Sequence, residues 1–386
     1  MSSPSQPRGR KINAASRVLA GFGILLGTML VLLTVLEVTP RHSDASLAAS
    51  VLMSSTAPWC VVIALAALTA GWFGHRARRA SRVAVILTVI GLVLPLSVCI
   101  STPVAARRAG GSVNPFTALA VSSMASRPDE VLHDTPRKGQ SIQVYRPRTP
   151  GPHPLLMDVH GGGWNTDAKM PAVLRSLADD GWIVIRPSYP LSTKTTATWD
   201  KAPEAVACAW NWAGTHTAQL GADSSAMVLM GDSAGGQLAI NLGYQIAQSA
   251  APTSCGDLHE PDAIIGLYPA LDLTQLASLK ALGINHAATE YLGGTPKQHS
   301  DRYRNANSVT WISPKAPRTF ILRGGRDTLV PPSGTDTFVN KARAAGVDVT
   351  DVNIPLFDHA FDSQTRNSLG YQTTTSLVRT WLAQVH

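Results

Sequence analysis

Hydrophobic patterning splits the chain into two unlike parts. In the first 101 residues, three long stretches have no polar face: Val18–Val38, Ala57–Phe73 and Val83–Ser101. Each approaches the ~20 residues that a helix needs to cross ~30 Å of hydrocarbon, so three membrane-spanning helices are predicted. The second is the shortest and its helix has room to begin earlier, near Leu52. Trp59 and Trp72 stand near the ends of that stretch, where amphipathic rings favour the headgroup level. A cleaved leader is a poor account of the first stretch, which is too long for one and is followed by two more spans.

Beyond Pro128 the pattern becomes short apolar runs closed by Gly or Pro, alternating with amphipathic stretches. Strands are predicted at Glu130–Asp134, Ser141–Arg146, Leu155–His160, Trp182–Arg186, Ala226–Met230, Ala263–Leu267, Thr319–Arg323 and Val347–Ile354. Helices are predicted at Ala168–Asp180, Asp200–Gln219, Ala234–Gln248, Ser333–Ala345 and Gln364–Gln384. This alternation predicts an α/β domain with a mostly parallel sheet covered on both faces, opened by an antiparallel hairpin. The expected division is a membrane anchor over 1–110, a Gly/Ser/Pro-rich tether over 111–128 and a catalytic domain over 129–386.

Charge sharpens this picture. The net charge of +8 would suit a nucleic-acid binder if it were spread over a folded face. It is not. Residues 1–110 carry 11 basic and 2 acidic side chains, whereas residues 111–386 carry 22 and 23. Excess positive charge confined to an apolar region belongs to membrane flanks, and no nucleic-acid partner is expected. Arg8, Arg10, Lys11 and Arg17 precede the first span, and Arg76, Arg78, Arg79 and Arg82 lie between the second and third. The loop between the first two spans has only Arg41, near Glu37 and Asp44. The positive-inside rule therefore places the N-terminus in the cytoplasm and the catalytic domain outside it, although Arg107 and Arg108 after the third span pull the other way. The four cysteines include no pair at metal-ligand spacing. Cys208 and Cys255 are open to two readings, a bridge formed in an oxidising space or two buried thiols.

Chemistry is expected at the carboxyl ends of the strands. Gly231-Asp232-Ser233-Ala234-Gly235-Gly236 follows one apolar run and opens a helical pattern, the strand–turn–helix context of a G-x-S-x-G nucleophile elbow. Small flanking residues are needed because such a turn is strained and closely approached by other backbone. His160-Gly161-Gly162-Gly163-Trp164 follows another strand. Its glycines allow successive N–H groups to face one point, as oxyanion stabilisation requires. Gly162 and Gly163, with the N–H of Ala234, are the expected donors, and His160 is expected to hold the loop. A serine nucleophile needs a base and an orienting carboxylate, in the order Ser, acid, His on this kind of fold. Asp327, just past the strand at Phe320–Arg323, and His359, in the loop before the last helix, fill those places. Asp272, Asp358 and Asp362 are weaker rivals for the acid, and His286 and His299 for the base.

These motifs, with Tyr268-Pro269-Ala270-Leu271-Asp272, Asp327-Thr328-Leu329-Val330 and His359-Ala360-Phe361, resemble the α/β-hydrolase superfamily, and most closely its hormone-sensitive-lipase-like carboxylesterases. The resemblance implies an eight-stranded sheet, no metal or organic cofactor, and hydrolysis of short- to medium-chain acyl esters through an acyl-enzyme. It makes Ser233 the nucleophile, His359 the base, Asp327 its orienter, and Gly162, Gly163 and Ala234 the oxyanion hole. Two features depart from that pattern. Ser188-Tyr189-Pro190-Leu191 and a Thr-rich stretch stand after the fourth strand, and membrane spans replace the usual helical lid, leaving Leu273–Trp311 as a candidate cap. The expected partners are a small-molecule or lipid ester and the bilayer. An acyltransferase using the same triad, or a catalytically silent membrane interaction protein, are the alternatives.

Overall fold

In the computed structural model, residues 14–38, 44–74, 78–168, 170–279 and 284–385 are described. Arg8, Arg10, Lys11, Arg41 and Arg76, which entered the orientation argument, lie outside them. The chain forms two compact units, one within residues 1–40 and 56–100 and one within 41–55 and 101–386.

The smaller unit is built from helix α1 (Ala14–Val38), most of α2 (Asp44–Phe73) and most of α3 (Arg78–Arg108). All three are long and apolar enough to cross a membrane. Small residues line their contacts: a side chain at Gly91 would run into the backbone of Leu30 and Val31, and one at Gly27 would press on Leu87 and Thr88. Close helix approach through glycine is the packing mode that works where lipid removes the hydrophobic driving force. Pro58 lies inside α2.

The larger unit holds an eight-stranded sheet. In chain order its elements are β1 (Glu130–His133), β2 (Ser141–Tyr145), β3 (His153–Val159), α4 (Pro171–Asp179), β4 (Ile183–Pro187), α5 (Lys201–Thr215), α6 (Thr217–Leu220), β5 (Ala222–Asp232), α7 (Ser233–Ile246), β6 (Ala263–Leu267), α8 (Leu273–Ser278), α9 (Ile284–Leu292), α10 (Ser300–Ala306), β7 (Arg318–Gly324), α11 (Pro332–Ala344), β8 (Val349–Ile354) and α12 (Leu369–Leu382). The strand order is β1-β2-β4-β3-β5-β6-β7-β8. β2 runs antiparallel to both β1 and β4, and the remaining pairings are parallel. Leu155–Met157 of β3, Ala226–Met230 of β5 and all of β6 are continuous apolar runs because helices cover both of their faces, and Leu155, Leu229 and Ile264 are fully buried there.

Two expectations about boundaries need revision. α2 starts at Asp44, and its first turns belong to the larger unit, where the Ser54 hydroxyl donates to the carbonyl of Phe361. The expected tether is not a free linker. Val113 and Ala118 are buried, and the segment is bonded to α12 through Ser112 N–H to Ser376 Oγ and Asn114 N–H to Gln372 Oε1. Its polar composition is matched by the polar face of α12, which supplies partners for an otherwise unpaired backbone. Cys208, on α5, is bridged to Cys255, with Cα atoms 5.3 Å apart.

Candidate active site

The site forms where β5 turns into α7. Ser233 is the first residue of α7 and has φ of 51°, a left-handed conformation that is costly for a side-chain-bearing residue. The residues two before and two after it must be glycine. A Cβ on Gly231 would collide with the carbonyl of Gly235, and one on Gly235 with the carbonyl of Val159. Trp164, Tyr268 and Ala360 also have positive φ, so backbone strain gathers around this one point.

His359 lies in the loop between β8 and α12. Its Nε2 is 2.9 Å from Ser233 Oγ, and its Nδ1 is 2.7 Å from Asp327 Oδ2. Asp327, just beyond β7, is fixed in turn by the N–H groups of Leu329 and Val330, which donate to its other oxygen at 3.1 and 2.7 Å. Asp327 and His359 are buried, while Ser233 is partly open to solvent. Burial favours the neutral imidazole, but the Asp327 carboxylate outweighs it and holds the His359 pKa above the ordinary 6.5.

The structure does not bring the rival residues into this chain of contacts. Asp358 accepts from the backbone N–H groups of Thr328 and His359, tying the two loops together. Asp362 accepts from the Tyr268 hydroxyl at 2.8 Å and from Thr374 at 2.6 Å. Asp272 caps α8 through the N–H of Gln275. His299 contacts the Gly293 carbonyl, and His286 lies on α9.

Opposite the serine, the loop after β3 is held from below. The N–H of Gly161 donates to Asp232 Oδ1 at 2.9 Å. Gly162 and Gly163 have φ of 108° and 59°, and their N–H groups bond to no acceptor among the described residues. Ala234 is the second residue of α7, where a backbone N–H has no intrahelical partner. These N–H groups are the candidate donors, in a glycine loop bonded to Asp232, the residue before the serine. His160 stacks on Tyr189 with ring centroids 4.1 Å apart, and its Nδ1 lies 2.8 Å from the Gly161 carbonyl. Burial, followed by the nearby Arg186, pushes its pKa down to about 4, so it stays neutral. Trp164 donates to Gln237 and stacks on Tyr291 of α9 at 4.9 Å. The 273–311 excursion, which includes α8, α9 and α10, thus packs against the glycine loop.

Sequence reasoning missed the supporting roles of Asp232, Tyr268 and Asp362. Asp232 stood in view as the variable residue of the serine motif, but its partner Gly161 is 71 residues away in the chain. Tyr268 meets His359 edge-on, with centroids 4.8 Å apart.

Sheet order and the strand–turn–helix at Ser233 define the α/β-hydrolase fold. Within that class the chain belongs to the BD-FAE family, whose profile matches residues 142–342, over half of its length. It is 26% identical to the esterase LipC of Mycobacterium tuberculosis over 242 residues, 61% of this chain and 59% of that protein. Hormone-sensitive lipase of Bos taurus is 28% identical over 254 residues, 61% of this chain and 32% of that protein. The chain spans about half the length of the curated relatives it matches. Among solved structures, esterase 2 of Thermogutta terrifontis superposes with a TM-score of 0.54 at 20% identity, covering 68% of this chain and 96% of its own. Carboxyl esterase 2 of Tuber melanosporum gives 0.53 at 22%, covering 64% and 82%. At these identities the likeness is one of fold.

Proposed function

We propose that the protein is a membrane-anchored serine esterase that hydrolyses short- to medium-chain acyl esters outside the cytoplasm. The observation that carries this reading is the unbroken line of hydrogen bonds from Ser233 through His359 to Asp327. In this mechanism Ser233 Oγ attacks the ester carbonyl as its proton passes to His359 Nε2, and Asp327 stabilises the imidazolium through Nδ1–H. The N–H groups of Gly162, Gly163 and Ala234 receive the oxyanion. Collapse expels the alcohol with the proton from Nε2, and water then releases the acid by the same route in reverse.

Two independent features support the side of the membrane. The basic residues favour a cytoplasmic N-terminus. The Cys208–Cys255 bridge belongs in an oxidising space. The Ser54–Phe361 contact is compatible with three crossings, which leave the start of α2 and the catalytic unit on one side whichever way the chain starts.

Ser233→Ala should lower turnover of p-nitrophenyl butyrate by about 10⁴–10⁶-fold and abolish labelling by a fluorophosphonate. Wild-type labelling should occur on intact cells with an impermeant probe. Undiminished turnover in the variant would remove the nucleophile, and labelling only after permeabilisation would reverse the topology.

A further inference from the structure

The segment that follows α3 carries an apolar surface that the hydrolase fold does not use. Beyond residue 108, the large hydrophobic side chains that stand exposed among the described residues are Phe116, Val121 and Val131. Phe116 and Val121 are 82% and 72% exposed, and both fall within the short stretch after Arg108. They are not on a loose strand. Their segment faces inward through Val113 and Ala118, and a short 3-10 turn, Thr117–Leu119, fixes the backbone between them. It is bonded at both ends. Thr380 donates to the Gly110 carbonyl, the N–H of Arg366 donates to the Ser122 carbonyl, and the Asn367 amide donates to the Ala120 carbonyl.

One exposed ring is ordinary on a protein surface; here Phe116 and Val121 are held out together by a fixed segment. What should cover them follows from position and charge. Phe116 is eight residues beyond the last residue of a helix that is long and apolar enough to span a bilayer. Residues 101–128 include Arg107, Arg108 and Arg127 and no acidic side chain. Apolar side chains interleaved with cations suit the acyl–headgroup boundary of a membrane containing anionic lipid.

We propose that Phe116 and Val121 insert into the bilayer surface from which α3 emerges and seat the catalytic unit on it. This rests on the membrane-anchored reading above. The seat also has a consequence for substrate. Its bonds to Arg366 and Asn367 reach the loop between β8 and α12 that also carries His359, so the seat would hold the histidine's loop near the lipid, where esters embedded in the membrane present their carbonyls.

The test uses the full chain in nanodiscs of phosphatidylcholine and phosphatidylglycerol. With Phe116→Trp, the emission added over the parent protein should lie to the blue of a water-exposed indole and be quenched by brominated acyl chains. Added emission untouched by bromolipid would overturn the seat, whether the ring is free in water and quenched by iodide or covered by protein and shielded from it. The double variant Phe116→Ser/Val121→Ser should keep full turnover of a water-soluble ester and full fluorophosphonate stoichiometry, yet lose several-fold on an ester embedded in vesicles. Equal turnover of the embedded ester would also count against the proposal. Failure of the esterase reading is separate, since it would silence both esters and leave the quenching result intact.

Discussion

The two units use the same apolar side chains in opposite senses. In α1–α3, Val18, Leu25, Trp72 and Val93 point outward and are 61–76% exposed. In the sheet, Leu155, Leu229 and Ile264 are fully enclosed. Composition does not separate these cases; arrangement does. A helix that is apolar on all sides has no face to turn away from lipid. Apolar runs of five to seven residues, closed by Gly or Pro and flanked by amphipathic helices, bury themselves against one another. The contrast separates a unit apolar enough to cross a membrane from one that buries its apolar runs beneath the candidate site.

The largest effect that would sharpen this contrast lies in the buried polar centre of the sheet unit. Asp327→Asn should lower kcat by about 10⁴-fold. The carboxylate now raises the His359 pKa, so the base is protonated and activity is lost as pH falls through a value above 6.5. Without the carboxylate, burial, the largest influence on the ring, is opposed only by the charges of Asp358 and Asp232, and the acid limb of kcat/KM should move to lower pH. A limb that stayed in place would detach Asp327 from the histidine.

Next is the bridge. Cys208→Ser with Cys255→Ser removes a cross-link between positions 47 residues apart and should cost the sheet unit roughly 4 kcal/mol, read as a lower midpoint in thermal unfolding followed by loss of esterase activity. Reductant should reproduce the loss in the parent, although Cys60 and Cys99 of the spans are already free thiols. An unchanged midpoint would make the bridge dispensable.

The smallest effect addresses the comparison most directly. Leu229→Ala should destabilise the catalytic unit by about 3 kcal/mol, whereas Leu25→Ala, a similar truncation on an outward face, should change it by less than about 0.5 kcal/mol. Equal losses in the two variants would mean that α1 is packed like a soluble helix.

Much of this molecule is legible in its sequence because the informative patterns are local. Each of the eight strands lies within a few residues of its expected place, since each coincides with an apolar run and a Gly or Pro stop. Ser233, Asp327 and His359 could be singled out as candidates because each follows a strand end, and the fold brings them within hydrogen-bonding distance of one another. Less legible were features that depend on partners distant in the chain. β5 begins at Ala222, earlier than its apolar run, because Ala222 pairs with His153 across a register shift. The segment after α3 read as a tether because its polar residues give no local sign that Gln372 and Ser376 will meet them. Asp358 and Asp327 looked alike on paper. They differ in the fold because Asp358 is occupied by the backbone of Thr328 and His359.

The bond from Ser54 to the Phe361 carbonyl joins positions 307 residues apart. During synthesis the hydroxyl is made before any strand of the sheet, and its partner only after strands β1 to β8. The loop that carries the His359 imidazole can therefore close on this contact only at a late moment of chain growth.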